Sequence, residues 1–349
     1  MSSVNSSGGT ERVGSMLANS LSEAGYEVML GSISYGDKPF FPVNKEVKLL
    51  SLMSFPRCKL CRIPNTVYKL RKLLKKESVD ALIVVDTLCI QFTLPAVLGL
   101  KVKHICWEHF NFNNDLGGSS RRLARQLAAR YCDSIVTLTE KDKQYWLKGT
   151  RHKSQIIAIA NPCPFPPQKY KKQKSTKTVL SVGHLTHIKG FDRLLEAWVR
   201  VSRVMPDWRL VIVGEGEDRQ KLTGFIKKNN LINSVDLVGR TSDVSEYYKE
   251  AEIFCLSSHY EGFPMVLLEA LAFGLPVVSF DCDTGPAEIL QDTGSILVPQ
   301  NDIDQLALSL INLMKDKEGR ELIGLKSKEK SKLYQPKNII SQWVKLLNN

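Results

Sequence analysis

The sequence predicts an α/β protein built as two doubly wound domains, and three observations carry that prediction. Strand-like runs alternate with helix-like runs from end to end, the rhythm of βαβ units and parallel sheets. The rhythm breaks once, at Pro162, and then restarts. The chain has 349 residues, enough for two cores of ordinary size.

The chain opens MSSVNSSGGTERVGSMLANSLSEAGYEV. SSGGTERV reads as a glycine-rich turn running into an amphipathic helix from about Thr10 to Ala18. Such a turn normally follows a buried strand that is central in its sheet. Only Met1–Asn5 stand in front of it, and MSSVN does not read as a strand. The first strand is therefore expected to be missing or truncated here, with an in-frame apolar segment of about five to ten residues upstream.

The next candidate strands are EVMLGSIS, ALIVVD, HICWEH, SIVTLT and IIAIA, with VYKLRKLLKKE and RRLARQLAARY as helices between them. The longest apolar stretch, ALIVVDTLCIQFTLPAVLGL, contains Asp86, Gln91 and Pro95. It reads as a buried strand plus a helix and not as a membrane span. The start carries no secretory signal pattern. The first domain is thus assigned to residues 1–162 and a proline-rich, basic linker, PCPFPPQKYKKQKSTK, to 163–177.

The second domain, 178–334, repeats the pattern with TVLSVG, RLVIVG, VDLVG, IFCLSS, PVVSFD and SILVP as strands. Helices follow them, among them FDRLLEAWVRV, DRQKLTGFIKKN and PMVLLEALAFG. A closing helix in 335–349 is a candidate to pack back on the first domain. Two such domains would face a cleft, and ligands of doubly wound sheets sit at the carboxyl ends of the strands.

The eight cysteines are scattered and read as small buried residues in a reducing compartment. The lone CKLC at Cys58 and Cys61 is a weak metal or redox signal. The net charge is +12. It concentrates in Phe55–Lys76, in Arg121, Arg122, Arg125 and Arg130, and in KYKKQKSTK. Solvated faces plus a linker account for these clusters, as does docking on an anionic surface. A membrane leaflet is favoured over nucleic acid, because no nucleic-acid motif is present.

Four stretches of the second domain follow strands, where a ligand would sit. VGHLTHIKGFDRL sets Lys189 beside Gly190 at a helix start, an arrangement suited to a diphosphate and also common on surfaces. VGEGED is a glycine turn with acids, able to act simply as a helix cap. SSHYEGFPMVLLEALAFGLPVV holds Glu261 and Glu269 eight residues apart, with Glu269 set among leucines and alanines where a solvated-face reading is strained. SFDCDTGPAEIL is a strand followed by a Gly-Pro loop.

EGFPMVLLE, ALAFGLPVV and GPAEIL, together with GGTERV, the KGFD segment and VGEGED in this order, resemble the retaining glycosyltransferases of family four, which have the GT-B fold. The likeness spans essentially the whole chain. It implies that Lys189 pairs with the donor diphosphate and that Glu261 faces the donor sugar. It implies that Glu269 holds the ribose hydroxyls and that Gly214, Glu215 and Glu217 line the base. Gly8 and Gly9 would let backbone approach the phosphates, and Thr284 and Gly285 would offer backbone donors. His109 in WEHFNF resembles the cleft histidine of the family, although a core histidine at a strand end is also compatible with its position. One departure stands out: His184 occupies the place of the family's arginine, with fewer donors for a diphosphate. Asp281-Cys282-Asp283 resembles a metal motif of another fold, but its place late in the chain argues against a metal, and no cofactor is expected.

The resemblance implies a hexosyltransferase using a UDP-sugar, with galactose or an N-acetylhexosamine favoured. The acceptor would be a lipid-linked oligosaccharide of exopolysaccharide, capsule or O-antigen assembly, at the inner face of the cell membrane. A sugar-nucleotide epimerase or phosphorylase, and a weakly catalytic UDP-sugar-binding protein, remain alternatives.

Overall fold

A computed structural model describes residues 1, 3–6, 8–33, 38–52, 62–115, 118–168, 175–241 and 243–349. The CKLC cysteines and most of the KYKKQKSTK tract lie outside those residues. The chain divides into two compact units, Met1–Pro162 with Pro336–Asn349, and Cys163–Gln335.

In the first unit the chain runs α1 (Gly9–Glu23), β1 (Met29–Ser32), β2 (Lys48–Ser51), α2 (Arg62–Lys76), β3 (Ala81–Val85), α3 (Ile90–Val97) and β4 (Lys103–Trp107). It continues through α4 (Ser119–Tyr131), β5 (Ser134–Thr137), α5 (Glu140–Gly149) and β6 (Gln155–Ala158). Strands β3, β4, β5 and β6 pair in that order, all parallel, while β1 and β2 form a separate parallel pair. The ladder is buried through Ile105, Cys106, Trp107, Ile135 and Val136, the near-continuous apolar runs that a sheet covered on both faces requires.

The start of the chain makes backbone bonds to β1. The Met1 amino group donates to the Gly31 carbonyl at 3.0 Å, and the Ile33 N–H donates to the Met1 carbonyl at 3.0 Å. Met1 thus lies alongside β1 as a parallel neighbour, and Val4 is buried against Ala18, Leu30 and Val47. MSSVN is too short to show a period, yet Met1 pairs with the β1 edge. Burial lowers the pKa of the Met1 amino group.

The second unit runs β7 (Thr178–Val182), α6 (Phe191–Val204), β8 (Arg209–Val213), α7 (Arg219–Lys228), β9 (Val235–Gly239), α8 (Ser245–Glu250) and β10 (Ile253–Leu256). It goes on with α9 (Met265–Ala272), β11 (Val277–Phe280), α10 (Pro286–Leu290), β12 (Ile296–Val298), α11 (Ile303–Lys315) and α12 (Lys317–Ser331). The six parallel strands lie in the order β12-β11-β10-β7-β8-β9. Counted within the unit this is 3-2-1-4-5-6 from one edge, and the winding reverses between β7 and β10. In sheets of this kind that reversal opens a crevice at the carboxyl ends of the two central strands.

The final helix, α13 (Pro336–Asn348), belongs to the first unit. Trp343 is fully buried, with its ring 5.0 Å from that of Trp107 in an edge-on contact. Lys103 Nζ donates to the Leu346 carbonyl at 2.6 Å. At the front of the second unit, the segment from Cys163 is anchored on its own unit. The Cys163 N–H donates to the Tyr334 carbonyl at 2.7 Å, and the Gln168 N–H to the Ala272 carbonyl at 2.8 Å.

Candidate active site

The crevice of the second unit is built from the loops after β7 and β10. After β7 the chain passes Gly183 and a short 3-10 turn, His187–Lys189, and enters α6 through Gly190. Gly190 has φ +61°, and a Cβ there would lie 2.2 Å from the Ser257 carbonyl oxygen. Only glycine permits both the left-handed conformation and the close approach of the second loop. That approach is fastened by the His259 N–H to the Ile188 carbonyl at 2.8 Å and by Ser257 Oγ to the Lys189 carbonyl at 3.0 Å.

Two side chains from these loops meet. Lys189 Nζ lies 2.7 Å from Glu261 Oε1, with the lysine side chain 27% exposed and the glutamate 9%. Ser258 Oγ donates to the same oxygen at 2.6 Å. A third loop, after β11, joins them, as Thr284 Oγ1 donates to the Glu261 carbonyl at 2.9 Å. Gly285 follows with φ +96° and leads into α10. A partly exposed ammonium beside a nearly buried carboxylate, at the carboxyl ends of parallel strands, offers one charge for an anion and one for polar hydroxyls.

The loop after β8 lies against the loop after β7. A Cβ on Gly214 would fall 1.8 Å from the Gly183 carbonyl oxygen. Glu215 accepts from the Leu185 N–H through its carbonyl at 3.1 Å, and its carboxylate pairs with Arg219 at 3.1 Å. Glu217 and His184 are exposed, and so are Asp281 and Asp283.

Glu269 is 2% exposed in the middle of α9, where Leu267, Leu268, Ala270 and Leu271 are fully buried. Its Oε2 accepts from the Tyr248 hydroxyl at 2.8 Å. A carboxylate in such surroundings is tolerated only when hydrogen-bonded, so its position is a constructed one and not a solvated helix face.

In the first unit, Gly8 caps α1 and Gly9 begins it. A Cβ on Gly9 would meet nothing within 4 Å, so nothing in the protein's own packing requires glycine there. His109 follows β4, with its ring 4.4 Å from that of Trp107 and its Nε2 sequestered without a partner among the described residues. Burial pushes its pKa down to about 4, against the opposing effect of Asp86. The imidazole is neutral at pH 7.

Beside it lies a network that composition conceals. Glu108 is buried and receives Arg125 Nε at 3.2 Å, Arg121 at 3.5 Å and the Thr87 hydroxyl. Its Oε1 also accepts the N–H groups of His109 and Phe110 at 3.1 and 3.0 Å. Arg121 completes the set with Asp86 at 2.9 Å. This corrects the assignment of Arg121 and Arg125 to a solvent-facing basic cluster: both are buried and paired, while Arg122 and Arg130 are exposed. The signal was present in the spacing. Arg121 and Arg125 are one helical turn apart and share their stripe with Ala124, Ala128 and Ala129.

Acid will weaken the first unit. His104, buried with Nε2 3.0 Å from Thr93 Oγ1, is also pushed down to about 4 by burial. A folded-state pKa below the ordinary 6.5 means that the unfolded chain takes up protons which the folded chain refuses. The stability is full above pH 6.5 and is lost as pH falls towards 4, by about 3 kcal/mol for His104 alone. The urea midpoint is expected to drop between about pH 7.5 and pH 5, and His104→Gln should flatten that slope. A midpoint independent of pH in this window would show that both rings titrate normally.

Residues 7–163 match the family described as Glycosyltransferase Family 4, and residues 165–330 match Glycosyl transferases group 1. The amylovoran biosynthesis glycosyltransferase AmsD of Erwinia amylovora is 31% identical over 99% of this chain and 97% of its own. A Campylobacter jejuni protein is 30% identical over 98% of this chain and 95% of its own. It is the alpha-1,4-N-acetyl-D-galactosaminyltransferase that acts on GalNAc-alpha-(1->4)-GalNAc-alpha-(1->3)-diNAcBac-PP-undecaprenol. Among solved structures, Anabaena HepE in complex with UDP superposes with a TM-score of 0.80 at 17% identity, covering 99% of this chain and 97% of that one, a likeness of fold. With its two parallel α/β units and its full-length relatives, the chain is a GT-B glycosyltransferase of the family-4 type.

Proposed function

We propose that the protein is a retaining hexosyltransferase that takes its sugar from a UDP-sugar and passes it to a lipid-linked oligosaccharide. The observation that carries this reading is the Lys189–Glu261 pair at 2.7 Å, at the switch point between β7 and β10. The bond from the sugar's anomeric carbon to the diphosphate breaks while the acceptor oxygen bonds to the same carbon on the same face. The acceptor's proton passes to the leaving phosphate oxygen. Lys189 meets the negative charge that grows there, where a positioned donor counts most. Glu261 faces the sugar, and Glu269 takes the ribose hydroxyls. Gly8, Gly9 and the neutral His109 are the first unit's candidates for contact with the phosphates and the sugar.

Galactose or an N-acetylhexosamine is the favoured sugar, and assembly of a surface polysaccharide the favoured setting. The relatives' activities support both, and the resemblance of the GPAEIL segment supports the choice of sugar. The test is to incubate the pure protein with a panel of UDP-sugars and an undecaprenyl-pyrophosphate saccharide. Release of UDP with an extended saccharide is expected. A new UDP-sugar would mean epimerisation, a sugar 1-phosphate formed with inorganic phosphate would mean phosphorolysis, and neither product with intact UDP binding would mean a binding protein.

His184→Arg should be tolerated and should tighten UDP several-fold, because a guanidinium fork grips a diphosphate with two bonds where an imidazole offers one. Loss of activity in this variant would show a diphosphate site rebuilt around the imidazole.

No helix among the described residues is long and apolar enough to cross a membrane. Exposed Lys72 and Lys75 on α2 and exposed Arg122 on α4 suit docking at an anionic inner leaflet, at about 1 kcal/mol for each basic residue near the surface. Vesicle binding should fall steeply with salt and vanish on charge reversal at these three positions. Salt-insensitive binding would point to apolar insertion instead.

A further inference from the structure

We infer that Tyr248 is a positioning residue for donor binding, acting by fixing the carboxylate plane of Glu269. The inference rests on the donor reading of Glu269 given above and extends it to a residue outside the family motif. Tyr248 is 1% exposed on α8, and its hydroxyl donates to Glu269 Oε2 at 2.8 Å. Its ring cannot swing away. It stacks on Phe273 at 5.3 Å and 17° and on Phe254 at 5.8 Å and 23°. Phe165 closes a third side at 6.4 Å.

The chemistry follows from geometry. A glutamate has three torsions, and the last of them, which sets the carboxylate plane, is broad and weakly held. Two vicinal ribose hydroxyls need both oxygens presented in one plane at a set angle. A tyrosine locked between aromatic rings supplies a fixed hydroxyl, and a carboxyl group has further lone pairs on its oxygens for other donors. Among apolar neighbours such a bond is strong. The hydroxyl therefore holds the acceptor plane before the nucleotide arrives, and this lowers the ordering cost of binding. The packing of α8 explains only why an aromatic ring stands at position 248. The hydroxyl's other neighbour, the Val266 carbonyl, is farther off at 3.4 Å.

Tyr248→Phe keeps the ring stack and removes only the hydroxyl. UDP affinity, measured by isothermal titration, is expected to fall roughly tenfold. The melting temperature should stay within a few degrees, and kcat at saturating donor should change less than the donor KM. In a Glu269→Ala background the same substitution should have almost no further effect on UDP. If Glu269→Ala weakens UDP but Tyr248→Phe does not, the tyrosine is a packing residue and the inference is overturned while the donor site stands. If Glu269→Ala itself leaves UDP binding intact, the donor reading of Glu269 fails and the inference fails with it. An equal Tyr248→Phe effect in both backgrounds would show that the hydroxyl acts elsewhere, again against the inference.

Discussion

Lys189→Ala will lower turnover by roughly two to three orders of magnitude, the range seen when one positioned donor to a developing oxyanion is removed. The lysine side chain is partly exposed and sits on a short turn before α6, so little packing goes with it. Glu261 keeps the Ser258 hydroxyl at 2.6 Å, and Thr284 still holds its carbonyl. The fold should therefore survive, with the melting temperature within a few degrees of the parent. The loss should appear in kcat at saturating donor, because the charge acts most strongly as the diphosphate departs. Lys189→Arg should recover part of the rate. A melting temperature that collapses while activity per folded molecule stays normal would assign the lysine to structure.

Glu269→Ala will raise the dissociation constant for UDP by roughly two to four orders of magnitude. It removes the acceptor for two hydroxyls, and each hydrogen bond to a charged group is worth about 1.5–3 kcal/mol. Stability should change little in either direction. The substitution relieves a carboxylate set among leucines, and it costs the Tyr248 hydroxyl one acceptor. UDP binding by titration and thermal melting together decide the matter, and unchanged UDP binding in a folded variant would remove Glu269 from the donor site.

Much of this architecture is legible in the chain. The strands of the second unit are short apolar runs ending in glycine or serine, so TVLSVG and IFCLSS both announce a strand and the loop that leaves it. Lys189 and Glu261 stand out because they follow such ends. Their meeting does not, since it depends on β7 and β10 being neighbours although β8 and β9 intervene along the chain. Strand order is a non-local property, and no local pattern encodes it. The Asp86, Glu108, Arg121 and Arg125 network escapes a reading by composition for a different reason. Charge is counted as surface unless a partner is known, and here the partners come from three separate elements. Tyr248 is hidden in the same way, because SEYYKE is polar on every side and only the tertiary packing turns its second tyrosine inward. The pairing of Met1 with β1 is too short a segment for any periodic signal.

The return of α13 to the first unit sets an order of events during synthesis. Cys163–Gln335 is one continuous stretch, and every strand of its sheet has been made before residue 300 leaves the ribosome. The first unit, though it comes first in the chain, waits for Pro336–Asn349. Until they emerge, the Trp107 side of its core has no Trp343 to cover it, and Lys103 lacks the carbonyl of Leu346. Domains commonly fold in the order in which they are made. Here the later unit can finish first, and the earlier one stays open to chaperones until α13 has emerged.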